Sequence, residues 1–176
     1  MSKPYIVSII GCDNAGKSTF ARAIVEELKE RGYTATYLPP LGKAPLEKQI
    51  EYLDEVKRMP EQVIVMDRFP VIEEEVCGRT LRFQSNFDMI SEDERESYLA
   101  MINTLILCDP GLKVIQKWGD RKQMDGIKEN IRKLHKGYRD FYHTYHKCYL
   151  CYDWTLEKPD SYINLIEGLV KEYYEH

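Results

Sequence analysis

The sequence predicts an α/β domain built on a parallel sheet with helices on both faces. Short apolar, β-branched stretches alternate along the chain with longer segments whose apolar residues recur at helical spacing. Such alternation is typical of right-handed β-α-β crossovers, which make the sheet parallel. Five stretches predict strands, and we expect the strand order 2-3-1-4-5, which spacing alone does not determine.

Glycines and prolines delimit the elements of the first half. Pro4 and Gly11 bound a β-branched stretch, Gly32 ends a helical pattern, and Pro60 closes the next amphipathic segment. We therefore predict strands at residues 5–10, 33–38 and 62–67, and helices at 19–29 and 46–59.

The second half is divided by similar signals. Pro70 begins a segment with helical character, Ser91 and Glu94 form a capping-box pattern, and Asp109-Pro110-Gly111 ends an apolar run. We predict strands at residues 104–108 and 149–154, and helices at 70–83, 91–103, 112–118, 126–145 and 162–174.

Composition restricts the class of protein. The 176 residues are 43% hydrophobic and 31% charged, which fits one globular domain spanning residues 1–176. The net charge of -4 and the lack of a basic block argue against general nucleic-acid binding. No run approaches the ~18 apolar residues of a membrane span, and the N-terminus lacks a signal-peptide pattern. We expect a cytoplasmic protein whose five scattered cysteines are reduced.

The most informative motif runs from Gly11 to Ser18 and fits the phosphate-loop template G-x-x-x-x-G-K-[ST] between a strand and a helix. Backbone N–H groups of such a loop wrap a polyphosphate, which needs φ/ψ values that glycine adopts cheaply at Gly11 and Gly16. Lys17 supplies charge to the β and γ phosphates, and Ser18 offers a hydroxyl to Mg²⁺. The predicted ATP-binding residues are Gly11, Asn14, Ala15, Gly16, Lys17, Ser18 and Thr19.

A second motif, Asp67-Arg68-Phe69, follows the third predicted strand. Ligands bind at the carboxyl ends of strands in open α/β sheets, and an aspartate there can hold Mg²⁺. Arg68 can fork onto a phosphate with two parallel hydrogen bonds. A strand-end ion pair that only caps the sheet is the alternative.

Together these motifs make the chain resemble the thymidylate kinase group of nucleoside-monophosphate kinases, with the related deoxyribonucleoside kinases close behind. The resemblance covers nearly the whole chain in order. It rests on residues 11–19, Asp67-Arg68-Phe69, Leu105-Ile106-Leu107 leading into Asp109-Pro110, Asp120-Arg121, Tyr138, and Cys151-Tyr152-Asp153.

The resemblance implies roles for the acceptor side. Asp13 matches a residue that accepts a hydrogen bond from the sugar 3′-hydroxyl, although a loop aspartate bonded to its own backbone is the alternative. Arg68 matches the arginine on the acceptor phosphate, and Asp67 the carboxylate on the metal side. Phe69 is assigned to the substrate site, where packing beneath the acceptor is favoured over contact with its base.

The resemblance also implies a short lid at about residues 119–125. Because the phosphate loop carries no basic residue at its variable positions, Arg121 is expected to stabilise the charge of the transition state. Lys117 or Lys122 could share this role, and a solvated charged turn is the alternative.

Two features leave the acceptor open. Residues 38–58 are shorter than their counterpart in thymidylate kinases and lack an Arg-Pro-Gly acceptor loop. Residues 72–77 bring three glutamates where that family offers small and amide side chains to thymine. Arg79, Arg82 and Phe83 are candidate contacts to the base pocket or a phosphate by proximity, and a solvated helix face is the alternative.

Tyr138 is expected to pack on the long helix with its hydroxyl in water.

The sequence therefore predicts an Mg²⁺-dependent enzyme that transfers a phosphoryl group from ATP to a (deoxy)nucleoside monophosphate. A nucleoside kinase, or a kinase for a hydroxyl on a modified base, is the first alternative, with Asp67 or one of Glu73 to Glu75 as base. A nucleotide-binding switch is an alternative of another class. The expected partner is a small nucleotide, with neither nucleic acid nor membrane, and the resemblance allows a homodimer.

Overall fold

A computed structural model describes residues 3–117, 125–145 and 149–175. Its centre is a five-stranded sheet in the order β2-β3-β1-β4-β5. Every pairing of neighbouring strands is parallel, which confirms the predicted order and direction. The strands are β1 (Tyr5–Ile10), β2 (Ala35–Leu38), β3 (Val63–Asp67), β4 (Thr104–Cys108) and β5 (Tyr149–Tyr152).

Helices connect the strands and cover the sheet. They are α1 (Lys17–Glu30), α2 (Leu46–Val56), α3 (Pro70–Glu73), α4 (Arg79–Arg82), α5 (Glu92–Leu99), α6 (Leu112–Lys117), α7 (Ile127–Thr144) and α8 (Pro159–Glu175). A short 3₁₀ helix, Asn86–Met89, follows α4. This is the α/β architecture that the alternating pattern predicts.

The segment after β3 differs from its prediction. Residues 70–83 were expected to form one helix, but a π-helical turn at Glu74–Gly78 separates α3 from α4. Phe83 ends α4 in the left-handed conformation with φ 61°. Such π turns interrupt helical periodicity and recur at functional sites.

The apolar core lies on both sides of the central strands. Residues of β1, β3 and β4 are buried along their whole length, as expected for a parallel sheet covered on both faces. The long helices add apolar faces that include Ile24 and Leu28 of α1, Leu134 of α7, and Ile166 of α8. Among the helices described, none has the length and apolar character required to cross a membrane.

Strand register determines where the site forms. Ile9 of β1 is aligned with Asp67 of β3, so the two strands end side by side. The chain leaving β1 forms the phosphate loop, and the chain leaving β3 carries Arg68, whose backbone N–H donates to Ile9 O at 2.9 Å. The two sequence motifs therefore meet at one edge of the sheet.

Candidate active site

The phosphate loop depends on glycine at two positions. Gly11 has φ 134°, and a Cβ there would lie 2.5 Å from the carbonyl oxygen of Cys108. Gly16 has φ 89°, and a Cβ there would lie 2.8 Å from Cδ1 of Trp154. Both positions combine a left-handed backbone with a close neighbour, so any side chain would force the loop to move. Asn14, with φ 64°, also adopts the left-handed conformation.

Lys17 lies inside the loop. Its Nζ donates to the carbonyl oxygen of Cys12 at 2.6 Å, and the same oxygen accepts from the backbone N–H of Ala15 at 3.2 Å. Burial, followed by the positive charge of Arg68, lowers the pKa of Lys17 below its usual value. No ion pair to Lys17 occurs within the described parts of the chain, although the charges of Asp67, Asp13 and Glu73 partly offset the lowering of its pKa.

A cluster of oxygen atoms joins the start of α1 to the end of β3. Asp67 is 1% exposed, and its Oδ2 accepts hydrogen bonds from the Ser18 hydroxyl and, at 3.2 Å, from the Tyr37 hydroxyl. Its Oδ1 is buried without a hydrogen-bond partner among the described residues. Carboxylate and hydroxyl oxygens are the ligands that Mg²⁺ prefers. Ser18 and Asp67 therefore fit a magnesium site, and the unpartnered Oδ1 is the observation that supports it.

Arg68 occupies an uncommon backbone conformation for a residue with a side chain, with φ 72°. Its guanidinium is held between two carboxylates, Asp13 on the phosphate loop and Glu73 at the end of α3. Burial lowers the pKa of Arg68, but the neighbouring Tyr138, Glu73 and Asp13 more than offset burial and raise it well above its usual value. Its Nε is buried and has no partner among the described residues. Arg68 therefore stays charged, and one of its buried donors is unused by the described residues.

Tyr138 fixes the position of Glu73. The Tyr138 hydroxyl donates to Glu73 Oε2 at 2.5 Å and lies 3.2 Å from the Cys77 sulfur. The side chain is 2% exposed, so the expectation of a hydroxyl in water is wrong. The hydroxyl turns inward because α7 packs against the π turn, which brings it to a carboxylate that needs a donor. Burial, then the charge of Glu73, raises the pKa of Tyr138 well above its usual value.

A cavity of about 410 Å³ opens beside the phosphate loop. Asp13, Arg68 and Glu73 line it together with polar residues from α2, the π turn and α4, and with Pro40 to Lys43 after β2. Three described basic residues lie on its wall, Lys43, Arg68 and Arg82. Four described acidic residues also lie there, Asp13, Glu73, Glu74 and Asp125. The wall thus carries a formal charge of about -1 in the absence of a ligand.

Glu74 also lines this cavity and is 6% exposed. Its carboxylate accepts hydrogen bonds from Gln49 Nε2 at 3.2 Å, from the backbone N–H of Asn86 at 3.0 Å, and from Arg82. The π turn directs Glu74 inward, and Gly78 leaves room for its carboxylate, since a Cβ there would lie 2.8 Å from Glu74 Oε2. Glu73 and Glu74 thus line one cavity with different partners, because Glu73 pairs with Arg68 and Glu74 with Arg82.

Several other predicted residues are located by the structure. Phe69 is fully buried and is absent from the cavity wall, in keeping with packing beneath the site. Thr19 is exposed in the first turn of α1. Of the candidates after α3, Arg82 reaches the cavity, whereas Arg79 pairs with Glu75 and Asp88 outside it.

The basic residues proposed for the lid fall largely outside the structural description. Arg121 and Lys122 lie outside the described residues, as does the predicted lid apart from Asp125. Lys117 is the last residue of α6. Phe83, another candidate contact, is 90% exposed.

Sequence reasoning missed the contact of Tyr37 with Asp67, the place of Gln49 and Glu73 on the cavity wall, and the contact of Tyr138 with Glu73. Tyr37 had a usable signal, because it stands near the carboxyl end of β2 beside β3. Gln49 had none, since it lies in an amphipathic helix where a polar residue is expected to face water.

Comparisons with known proteins agree with the fold. No family model matches the chain, and no curated protein matches it. Among solved structures, YorR protein from Bacillus subtilis in complex with phosphorylated GDP is similar, with a TM-score of 0.71 and 21% identity over 97% of this chain and 98% of that chain. Deoxyadenosine kinase from M. mycoides with bound dATP is also similar, with a TM-score of 0.53 and 18% identity over 94% of this chain and 98% of that chain. APE1195 has a TM-score of 0.52 and 15% identity over 98% of this chain and 97% of that chain. These likenesses show the fold, a parallel five-stranded α/β architecture with a phosphate loop.

Proposed function

We propose that this protein is a nucleotide kinase that transfers the γ-phosphoryl group of ATP to a (deoxy)nucleoside monophosphate. The observation that carries this proposal is the position of the cavity, whose wall includes both Asp13 of the phosphate loop and Arg68. A donor held by the loop and an acceptor in the cavity would then meet at these residues. Two solved structures of the same fold contain bound nucleotides, phosphorylated GDP and dATP, which agrees with a nucleotide donor or acceptor.

Each residue has a role in this proposal. Lys17 and the N–H groups of the loop hold the β and γ phosphates of ATP, and Ser18 and Asp67 hold Mg²⁺. When bound, Mg²⁺ neutralises charge on the phosphates. Arg68 donates to the acceptor phosphate through its unpartnered Nε, and Asp13 accepts from the acceptor sugar. Phe69 packs beneath them, and Arg121 adds positive charge from the lid.

The charges of the cavity give the lid a role in this proposal. A monophosphate brings about two negative charges at pH 7 to a wall whose formal charge is already about -1. Arg68 and Arg82 are both paired with carboxylates, so neither is a free cation. Positive charge is therefore expected from Lys43, which has no ion pair with a described residue, from Mg²⁺, and from the lid residues Arg121 and Lys122. No base is required, because the acceptor phosphate is already ionised.

One observation favours a second candidate, a kinase that phosphorylates a hydroxyl of a nucleoside. Glu73 and Asp13 flank Arg68 on the cavity wall, and a neutral acceptor would add no charge there. A hydroxyl acceptor needs a carboxylate to take its proton. Glu73 is the carboxylate that could serve, although Arg68 and Tyr138 occupy both of its oxygens.

The test is an acceptor screen with purified protein and Mg-ATP. Deoxynucleoside and ribonucleoside monophosphates are compared with the free nucleosides, and products are separated by chromatography. Formation of diphosphates supports the first candidate, and formation of monophosphates from nucleosides supports the second. Hydrolysis of ATP at a rate that no acceptor changes would contradict both and favour a nucleotide-binding switch.

A further inference from the structure

A tyrosine of β2 reaches the cluster of oxygen atoms between α1 and β3. Tyr37 is aligned with Val65 of β3, two residues before Asp67, and its hydroxyl lies 3.2 Å from Asp67 Oδ2. An ionised carboxylate can only accept hydrogen bonds, so the Tyr37 hydroxyl is the donor. The Ser18 hydroxyl donates to the same oxygen. Two donors from different elements therefore converge on Asp67 Oδ2.

These two hydrogen bonds set the rotation of the Asp67 carboxylate. The torsion that turns a carboxylate about its last carbon–carbon bond is soft, and Asp67 Oδ1 has no hydrogen-bond partner among the described residues. The Tyr37 ring is itself held in place, because Arg22 of α1 lies over it with Cζ 4.5 Å from the ring centroid. Asp67 therefore has a fixed second donor that does not depend on Ser18.

The orientation of Asp67 decides what Ser18 can offer to an ion. A hydroxyl binds Mg²⁺ through the lone pairs of its oxygen, so its hydrogen must point elsewhere. Asp67 Oδ2 receives the hydrogen of Ser18 and leaves the lone pairs of Ser18 for a cation. A group that orients a metal ligand in this way contributes to metal affinity without touching the ion.

Resting on the proposed function, we propose that Tyr37 is a positioning residue of the magnesium site. Its hydroxyl holds the Asp67 carboxylate where that carboxylate accepts the hydrogen of Ser18, and so strengthens binding of Mg²⁺ together with the donor nucleotide. Removal of the hydroxyl should weaken the contribution of the metal and leave the contacts between the phosphate loop and the phosphates in place. Neither sequence motif includes this tyrosine, which stands 30 positions before Asp67.

The decisive experiment measures how much the metal adds to nucleotide binding. A non-hydrolysable ATP analogue is titrated calorimetrically into the protein in excess Mg²⁺ and again in EDTA, and the ratio of the two Kd values gives the metal-dependent gain in affinity. In Tyr37→Phe we expect this gain to fall by roughly 10-fold, while the Kd in EDTA stays the same. An unchanged gain, or an equal loss of affinity in Mg²⁺ and in EDTA, would overturn the proposal.

A neighbouring tyrosine supplies the matched control. Tyr52→Phe removes a hydroxyl from a partly buried tyrosine of α2 that packs against the core, and it should leave the metal-dependent gain unchanged. A fall in Tyr52→Phe as large as that in Tyr37→Phe would make the effect a general loss of packing and would also overturn the proposal. Thermal melting confirms that each variant is folded.

The binding measurement keeps this proposal distinct from the proposed function. If no acceptor is phosphorylated but the gain falls in Tyr37→Phe as expected, the kinase proposal is refuted and the role of Tyr37 at the metal site is retained. If the unmodified protein binds the analogue equally well in Mg²⁺ and in EDTA, or does not bind it, the role of Tyr37 is refuted even if phosphorylation is found.

Discussion

The two halves of the site hold positive charge in opposite ways. In the phosphate loop, Lys17 is buried against the Cys12 carbonyl and has no ion pair with any described residue. In the cavity, Arg68 is clamped by Asp13 and Glu73, and Arg82 is bound to Glu74. In the proposed reaction the loop is the donor half and can receive a polyphosphate without breaking an ion pair, whereas the cavity is the acceptor half and must share or exchange existing partners when a ligand enters.

The largest effect is expected at the donor half. Lys17→Ala removes the one positively charged side chain of the phosphate loop and should lower kcat/KM for ATP by roughly 1,000-fold. Initial rates of product formation measure it. Lys29→Ala is the matched control, because Lys29 lies exposed in the last turn of the same helix. A Lys17→Ala enzyme as fast as this control would refute the assignment of the loop.

The next effect concerns the lid, which we expect to supply the charge that the acceptor half lacks. Arg121→Ala should raise the activation free energy by about 2 to 4 kcal/mol and so lower kcat, with little change in ATP binding. Single-turnover rates measure the first quantity, and calorimetric titration with a non-hydrolysable ATP analogue measures the second. A loss of ATP affinity equal to the loss of rate would instead make Arg121 part of the donor half.

A smaller effect is expected for Arg68, where the clamp can be tested directly. Arg68→Lys keeps the charge but cannot span Asp13 and Glu73 and also donate to a phosphate, so acceptor KM should rise and kcat fall, each by about 10-fold. Arg79→Lys is a sharp control, since Arg79 also bridges two carboxylates but is 40% exposed. Unchanged acceptor kinetics in Arg68→Lys would make the clamp a structural ion pair.

The contrast between the halves also explains what the sequence could predict. The phosphate loop is a property of consecutive residues, so Gly11, Gly16, Lys17 and Ser18 were predictable from their spacing and flanking elements. Asp67 was predictable too, because strand ends converge at one edge of a parallel sheet.

The acceptor half depends on side chains far apart in the sequence. The contact between Tyr138 and Glu73 joins residues 65 positions apart, and helical spacing alone made Tyr138 look like a packing residue. The π turn at Glu74–Gly78 was equally hidden, because it changes which glutamate faces inward without breaking the helical composition. Long-range pairing and local changes of helix type are not encoded in short motifs, so Gln49 and Glu74 had to be found in the structure.

The smallest expected effect tests the support beneath the Arg68 clamp. Tyr138→Phe leaves Glu73 Oε2 without its donor and should lower the free energy of unfolding by about 1 to 2 kcal/mol at pH 7, measured by urea denaturation. Tyr33→Phe, at a partly exposed residue before β2, is the matched control and should change it by less than about 0.5 kcal/mol.

The effect of Tyr138→Phe should also depend on pH, with a definite sign. Because burial and Glu73 raise the pKa of Tyr138 in the folded protein, the unfolded chain releases this proton first, near its usual pKa of about 10. The stabilisation from the retained proton is fully present below pH 10 and is lost as the pH rises towards the higher pKa of the folded state. The unfolding free energy of the unmodified protein should therefore decline more steeply above pH 10 than that of Tyr138→Phe. Parallel curves from pH 9 to 11 would mean that the Tyr138 hydroxyl is as free to ionise in the folded protein as in the unfolded chain, which contradicts its contact with Glu73.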